Sequence, residues 1–557
     1  MSSINITVSH KGKKYDVEVD TESTGEVFKY QLFSLTGVEP ERQRILVKGG
    51  QLKDDIVMSS VGLKPGQTVM MMGTPGGSEV QRPAGKIKFV EDMTEAEAAQ
   101  QEGATPAGLE NLGNTCYLNS TLQTLRTIPE LQTALSTYMF KEDHSNRVPN
   151  LDLTNQLRNL YEAMGKTQSG YAPHAFLSAL RTAFPQFAER SRQGQGFAQQ
   201  DAEEAWSQIL AQLRQKLTRE GSQDQKTISF IDEYMAGEFE SVLECDDPAA
   251  REMGEQSVTT REPFLKLNCH IDKDINHLRD GILASLTETI EKKSDTLDRE
   301  ATYTKRSKIS RLPKYLTVHF VRFFWKRDVQ KKAKIMRKVT FSHELDIVEF
   351  CTDDLKKLLI PVRDKVREVR KDEEDIERSR KRRKKNPLLD GDVPGSSGSK
   401  EAEKKKDDKK PGADGDVDMA MDGETFKTDA EIDEEKQAQL LQAKKELHAL
   451  VNQELAADKG ANHSGLYELR GVVTHQGASA DSGHYTAYVK KTAPVDPQTG
   501  KPKGEEDGKW WWFNDDKVSE VTSDKIDALA GGGESHSALI LLYRAIPLPS
   551  ADGIDQA

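Results

Sequence analysis

Apolar and polar positions change rhythm several times along this chain, and each change predicts an element. Residues 4–20, INITVSHKGKKYDVEVD, alternate on either side of Lys11–Gly12–Lys13, which predicts a two-stranded hairpin. In GEVFKYQLFSLTGV (25–38), Val27, Tyr30, Leu32 and Phe33 recur near helical spacing, and Gly37 marks a C-terminal stop. RILVKGGQL (44–52) predicts a strand and turn, and TVMMM (68–72) a last strand with Val69 and Met71 on its core face and Met70 and Met72 on its surface. Beyond a polar tether over 78–104, Leu118, Leu122 and Leu125 begin a helix that Pro129 stops. Residues 151–180 and 201–217 read as helices, the second capped by Asp201 with Glu204 at the capping-box position. SKISRLPKYLTVHFVR (307–322) reads as one long strand, followed by the basic loop FFWKRDVQKKAK. Residues 466–473 and 484–490 predict an antiparallel pair joined by a small polar loop, and HSALILLYR (536–544) a strand that closes the sheet. Residues 366–462 break the pattern. They are rich in charge, Gly, Pro and Ser and too poor in apolar side chains to offset the entropy of ordering, so they predict disorder, with helical charge pairing only over 430–455.

Composition narrows the possibilities. The chain has 557 residues, too many for one ordinary core, and divides into folded parts at 1–77 and 105–546, a charged insertion at 366–462 and a frayed tail at 547–557. A net charge of −12 argues against general nucleic-acid binding, and no apolar run is long enough to span a bilayer. Four cysteines make no disulfide framework, which points to a reducing compartment. Cys245, Cys269 and Cys351 stand alone, so no tetrahedral metal site assembles at standard spacing and no metal or other cofactor is expected. The basic run RSRKRRKK (378–385) has nuclear-import composition or is a solvated charged stretch.

The chemistry gathers around GLENLGNTCYLNSTLQTL (108–125). Its Gly and Asn residues suit a tight loop, and Cys116 falls in the first turn of the helix that follows. Unpaired N–H groups and the helix dipole there favour thiolate, the nucleophilic form. Far along the chain, YELRGVVTHQGASADSGHYTAY (467–488) places His484 directly after Gly483, a glycine suited to close approach of a peptide. WWWFNDDKV (510–518) places Asn514 and Asp515 after an aromatic run. Nucleophile, base and an orienting amide or carboxylate, in that order, are the set that a thiol protease uses.

NLGNTCYLNS and HQGASADSGHYTAYV resemble the Cys and His boxes of the ubiquitin-specific proteases, and the resemblance covers about 106–545. It implies an α+β, papain-like catalytic domain, with a helical part carrying Cys116 and an antiparallel sheet carrying His484. Cys116 is then the nucleophile, His484 the general base and acid, and Asn514 the orienting residue with Asp515 as the alternative. Asn111 is the oxyanion donor. Residues 1–77 resemble ubiquitin, with the hairpin–helix–strands order of a β-grasp fold. Leu46, Met70 and Met72 would form an apolar patch for a ubiquitin-receptor surface on the proteasome. The segment ends Gly76–Gly77, but the Leu-Arg that precedes Gly-Gly in ubiquitin is missing and the chain continues, so it reads as linker. The implied protein is a monomeric deubiquitinase, cytoplasmic and nuclear, acting on ubiquitinated proteins at the proteasome. Mobile loops at 324–334 and 476–482 imply low activity until it docks. Two rivals stay open: a scaffold that holds ubiquitin without cleaving it, and a protease for another ubiquitin-like modifier.

Overall fold

The computed structural model describes residues 3–11, 13–48, 50–73, 93–100, 103–140, 151–191, 196–220, 227–326, 331–385, 429–479, 482–493, 506–533 and 535–550. The chain forms two compact units, residues 1–92 and 93–557.

In the first unit, the strands Ser3–His10 and Lys13–Asp20 form the expected hairpin, in register from Ser3 against Asp20 to His10 against Lys13. The first strand also pairs in parallel with Thr68–Met72, which pairs in turn with Arg44–Val47. The helix Gly25–Thr36 ends where Gly37, at φ 67°, donates its N–H to Phe33 O. Its core face differs from the expected one. Phe28 and Leu32, four apart, are buried with Ile6, Val17 and Ile45, whereas Val27, Tyr30 and Phe33 are exposed. Apolar character alone misplaced the stripe, because this helix is apolar on both faces. Val69 and Met71 are buried as alternation requires.

The second unit sets a helical layer against a sheet. The helices are Cys116–Leu125, Pro129–Thr137, Leu153–Met164, His174–Ala183 and Ala202–Lys216, the last capped by Asp201 accepting from Glu203 N–H. The sheet runs in the order Leu267–His270, Tyr315–Val321, Ser537–Ala545, Leu466–Ser479, Ser482–Lys490, Trp510–Asn514 and Lys517–Val521. One face, with Tyr315, Val473, Tyr485 and Leu542, joins the helical core; the other, with Leu316, Val318, Val472 and Leu541, packs a second core. The strand Ser537–Ala545 therefore lies inside the sheet rather than closing its edge. A separate four-stranded antiparallel sheet is built from Thr287–Ser294, Arg299–Arg311, Gly237–Cys245 and Val258–Phe264.

Several expected loops are ordered. The single strand read over 307–322 is two, Arg299–Arg311 and Tyr315–Val321, in different sheets. They part at Pro313, which has no N–H for a ladder. The basic loop is a hairpin, with Phe323 opposite Lys334 and Lys326 opposite Lys331; its tip, 327–330, lies outside the described residues. The polar loop before His484 is strand on both sides, with Gln476 opposite His484, and only 480–481 lie outside the described residues.

The start of the insertion expected to be disordered is helical, and the helix expected over 430–455 is present. A helix spans Asp353–Lys385 and a second spans Asp429–Leu450, while 386–428 lie outside the described residues. Val362 and Val366 on the first and Leu447 on the second bury against Leu466 of the sheet. Arg363 and Arg367 bind Asp346, and Arg370 binds Glu344, so a stripe of arginines at helical spacing fastens the helix to a strand edge. Average composition hid these few apolar positions at helical spacing. The tail is also ordered further than expected: His448 Nε2 lies 2.7 Å from Pro549 O, and Ser550 is buried. No helix among the described residues is long and apolar enough to cross a membrane.

Candidate active site

The cysteine loop is held by its own polar groups. Asn111 Oδ1 accepts from Gly113 N–H (3.0 Å) and Thr115 N–H (3.2 Å), and Thr115 Oγ1 accepts from Leu112 N–H (2.9 Å). These bonds close the turn through Gly113 and Asn114, both at positive φ, and deliver Cys116 to the first position of its helix. Every residue of that helix is buried, including Asn119, Gln123 and Thr124. Buried polar side chains need partners, and Asn119 Nδ2 finds one 2.8 Å away in Asp515 Oδ1.

On the sheet, the strands at His484 and Asn514 are neighbours. His484 Nε2 lies 2.5 Å from Asn514 Oδ1. An amide oxygen only accepts, so Nε2 carries the hydrogen and Nδ1 keeps its lone pair. Asp515, at φ 53° in the turn after Asn514, faces the other way. Its carboxylate accepts from Asn111 Nδ2 (3.0 Å) as well as Asn119, and its carbonyl accepts from Leu109 N–H. Asn514 thus touches the imidazole while Asp515 ties the cysteine loop to the sheet. Gly108 is required here, since a Cβ would lie 2.4 Å from Asp516 O. Gly483, at φ 126°, serves the ladder: a Cβ would lie 2.1 Å from Gln476 O, on the neighbouring strand.

The two sides meet at the sulfur. The backbone N–H of Tyr485, next to His484, points at Cys116 and favours its thiolate. Burial outweighs it. Cys116 is 3% exposed, and burial, with the charge of Asp515 adding to it, pushes the thiol up to about 11. The expected thiolate is therefore a thiol at neutral pH, because the helix end that favours charge also lies out of water.

Three basic side chains near His484 had no local sequence signal. His475, fully buried, is opposite Tyr485 and lies edge-on to its ring; burial first, then Lys334, pushes it down to about 3. Lys334, from the basic hairpin, is buried and donates to His475 O at 2.6 Å; burial lowers it to about 8. His536 Nδ1 pairs with Thr474 Oγ1 at 3.1 Å, its ring lies 6.3 Å from that of His484, and burial lowers it to about 4. Only the finished hairpin brings them together. Cys245, Cys269 and Cys351 are free and buried in other parts of the unit.

Comparison with known proteins gives this geometry a lineage. Residues 107–543 match the family model described as ubiquitin carboxyl-terminal hydrolase, and residues 4–76 match the ubiquitin family. The chain belongs to the ubiquitin carboxyl-terminal hydrolases. It is 43% identical to ubiquitin carboxyl-terminal hydrolase 6 of Schizosaccharomyces pombe, over 97% of this chain and 99% of that one. It is 38% identical to ubiquitin carboxyl-terminal hydrolase 6 of Arabidopsis thaliana, over 97% and 98%. Against ubiquitin carboxyl-terminal hydrolase 14 of Caenorhabditis elegans the identity is 32%, over 97% and 93%. As a hydrolase of this family it is a cysteine-type deubiquitinase with an N-terminal ubiquitin-like domain.

In that first unit, Leu46 and Met70 are cross-strand neighbours, Met72 follows two residues on, and all three are exposed. The apolar patch that the resemblance to ubiquitin implies is thus exposed.

Proposed function

We propose that this hydrolase removes ubiquitin from proteins held at the proteasome, docked there through Leu46, Met70 and Met72. The observation that carries this reading is the exposure of three large apolar side chains on one sheet face of a small domain, where adaptable methionines suit a receptor surface. Cys116 attacks the carbonyl after the C-terminal glycine of ubiquitin. His484 takes the thiol proton on Nδ1 and returns it to the leaving amine, while Asn514 holds the ring. An acyl-thioester forms and water releases ubiquitin. Asn111 spends one Nδ2 hydrogen on Asp515, which leaves the second for the oxyanion.

A thiol 3% exposed and protonated supports low turnover by the free chain, with docking raising it. The protein acts as a monomer, needs no metal or other cofactor, and works in cytoplasm and nucleus; the basic run at 378–385 supports the second location. The test is a ubiquitin bearing a C-terminal electrophile. An adduct is expected on the wild type, more of it with saturating proteasome, and none on Cys116→Ala. An adduct surviving that substitution would return the chain to a scaffold role. Turnover equal with and without proteasome would remove the docking half. Faster cleavage of a matched reporter of another ubiquitin-like modifier would change the substrate.

A further inference from the structure

A second structure, separate from the Asp515 bonds, is tied to the cysteine loop. Asn114 Nδ2 donates to Phe197 O at 2.9 Å, and Asn114 lies two residues before Cys116. Phe197 pairs with Arg190 in a short antiparallel bridge, and Ala198 N–H donates to Glu189 O. The Phe197 ring carries two guanidiniums: Arg181 Cζ at 3.5 Å from its centroid and Arg190 Cζ at 4.7 Å. A ring face attracts cations, but two on one ring repel each other; Arg181 is held below the usual guanidinium range first by burial and, against Tyr117, by Arg190 as well. Among the described residues neither forms an ion pair, and apart from the ring Arg181 donates there only to the Phe187 carbonyl, at 3.2 Å. Among the described residues, the hydrolase thus keeps two positive charges without an ion-pair partner on a ring whose backbone is bonded to the cysteine loop, in a chain whose net charge is −12. Arg190 is exposed.

We propose that Arg181 and Arg190 form a specificity site for acidic segments of the protein to which ubiquitin is attached. An anion fits because it would offset the mutual repulsion, and planar guanidiniums suit carboxylates. Ubiquitin's own tail is a poor occupant, since Leu-Arg precedes its Gly-Gly and places a cation there. The acid comes from the variable partner across the scissile bond. This selects among substrates of the known reaction and leaves its chemistry unchanged.

The test compares four substrates on the full chain: ubiquitin with a small neutral fluorophore as leaving group, and ubiquitin joined by an isopeptide bond to the lysine of an acidic, a neutral or a basic peptide. The wild type should favour the acidic peptide over the neutral one by roughly 3–10-fold in kcat/KM, chiefly through KM and less at high salt. Arg190→Glu should abolish or reverse that ratio. Arg190→Lys, which keeps the charge, should retain most of it. A preference unchanged in Arg190→Glu would overturn the proposal. So would an equal loss on all four substrates, which marks a structural staple, or a loss on the fluorophore substrate as large as on the acidic peptide, which marks a contact with ubiquitin. No hydrolysis of any substrate would defeat the hydrolase reading and this inference together.

Discussion

The side chains proposed to work are held in opposite ways by the two units. In the ubiquitin-like unit, apolar residues that could have been core stand in water: Leu46, Met70 and Met72 on the sheet, Val27, Tyr30 and Phe33 on the helix. In the hydrolase unit, polar residues that could have been surface are buried: Cys116, Asn119, His475 and Lys334. Docking needs apolar area that a partner can cover, and rigid strands suffice to present it. Bond cleavage needs charge to develop in a dry site already lined with oriented groups. The first design costs little stability where it works. The second accumulates desolvation costs there, visible as a thiol raised and imidazoles and an amine lowered, and must be held by the fold around it.

If the buried network is the working part, its largest sensitivity lies at the imidazole. Asn514→Ala should lower kcat by roughly a hundredfold or more, since the ring loses the partner that fixes its tautomer. Asn514→Asp should keep substantial activity. A reporter assay that found Asn514→Ala near wild type and Asp515→Ala inactive would reverse the two roles.

The sulfur offers the next test. With its thiol pushed from 9.0 to about 11, Cys116 in the free chain should react with iodoacetamide roughly a hundredfold more slowly at pH 8 than an unperturbed cysteine, and its rate should still be climbing past pH 9. The folded chain holds this proton more tightly, so the contribution is complete below pH 9 and lost as pH rises toward 11. Alkylation that levelled off near neutral pH would mean a resting thiolate, and would erase this half of the contrast.

How much of this could be read beforehand depended on whether the signal was local. The Cys and His boxes, the Met70/Met72 face and the Gly37 stop are each set within a few residues, and all were legible. The division of labour between Asn514 and Asp515 was not, because it depends on Asn111 and Asn119 arriving from about 400 positions earlier in the chain. His475, His536 and Lys334 converge only once three hairpin and strand partners are in register. The first part of the insertion was misjudged for another reason: Val366 and Val369 are few, and a window dominated by charge averages them away.

Support for the hydrolase sheet can be probed away from the chemistry. Glu468 lies among Arg470, Arg544 and Lys490; despite its burial, these cations hold its carboxyl down at about 2. Such a carboxylate stabilises the fold by roughly 3 kcal/mol at neutral pH. Its folded value is depressed, so the stabilisation is present above about pH 4.5 and lost as pH falls toward 2. Glu468→Gln should cost about that much by denaturant titration, with the difference vanishing in acid. An unchanged midpoint at pH 7 would show the cluster to be indifferent, and buried charge in this unit to be independent of its partners.

The finest test sits on one strand of the ubiquitin-like unit, where neighbours have opposite fates. Met71 is 2% exposed and Met70 is 56% exposed. Met71→Ala removes a core side chain from a small domain and should cost about 2–3 kcal/mol. Met70→Ala removes surface and should change stability by less than about 0.5 kcal/mol, while weakening proteasome docking. Thermal unfolding of the ubiquitin-like unit and a binding titration measure the two separately. If Met70→Ala destabilised the fold as Met71→Ala does, the face would be part of the core and the docking reading would lose its surface. If neither altered docking, apolar exposure on this strand would have no partner. The contrast between a unit that works through what it leaves uncovered and one that works through what it buries would then rest on the hydrolase alone.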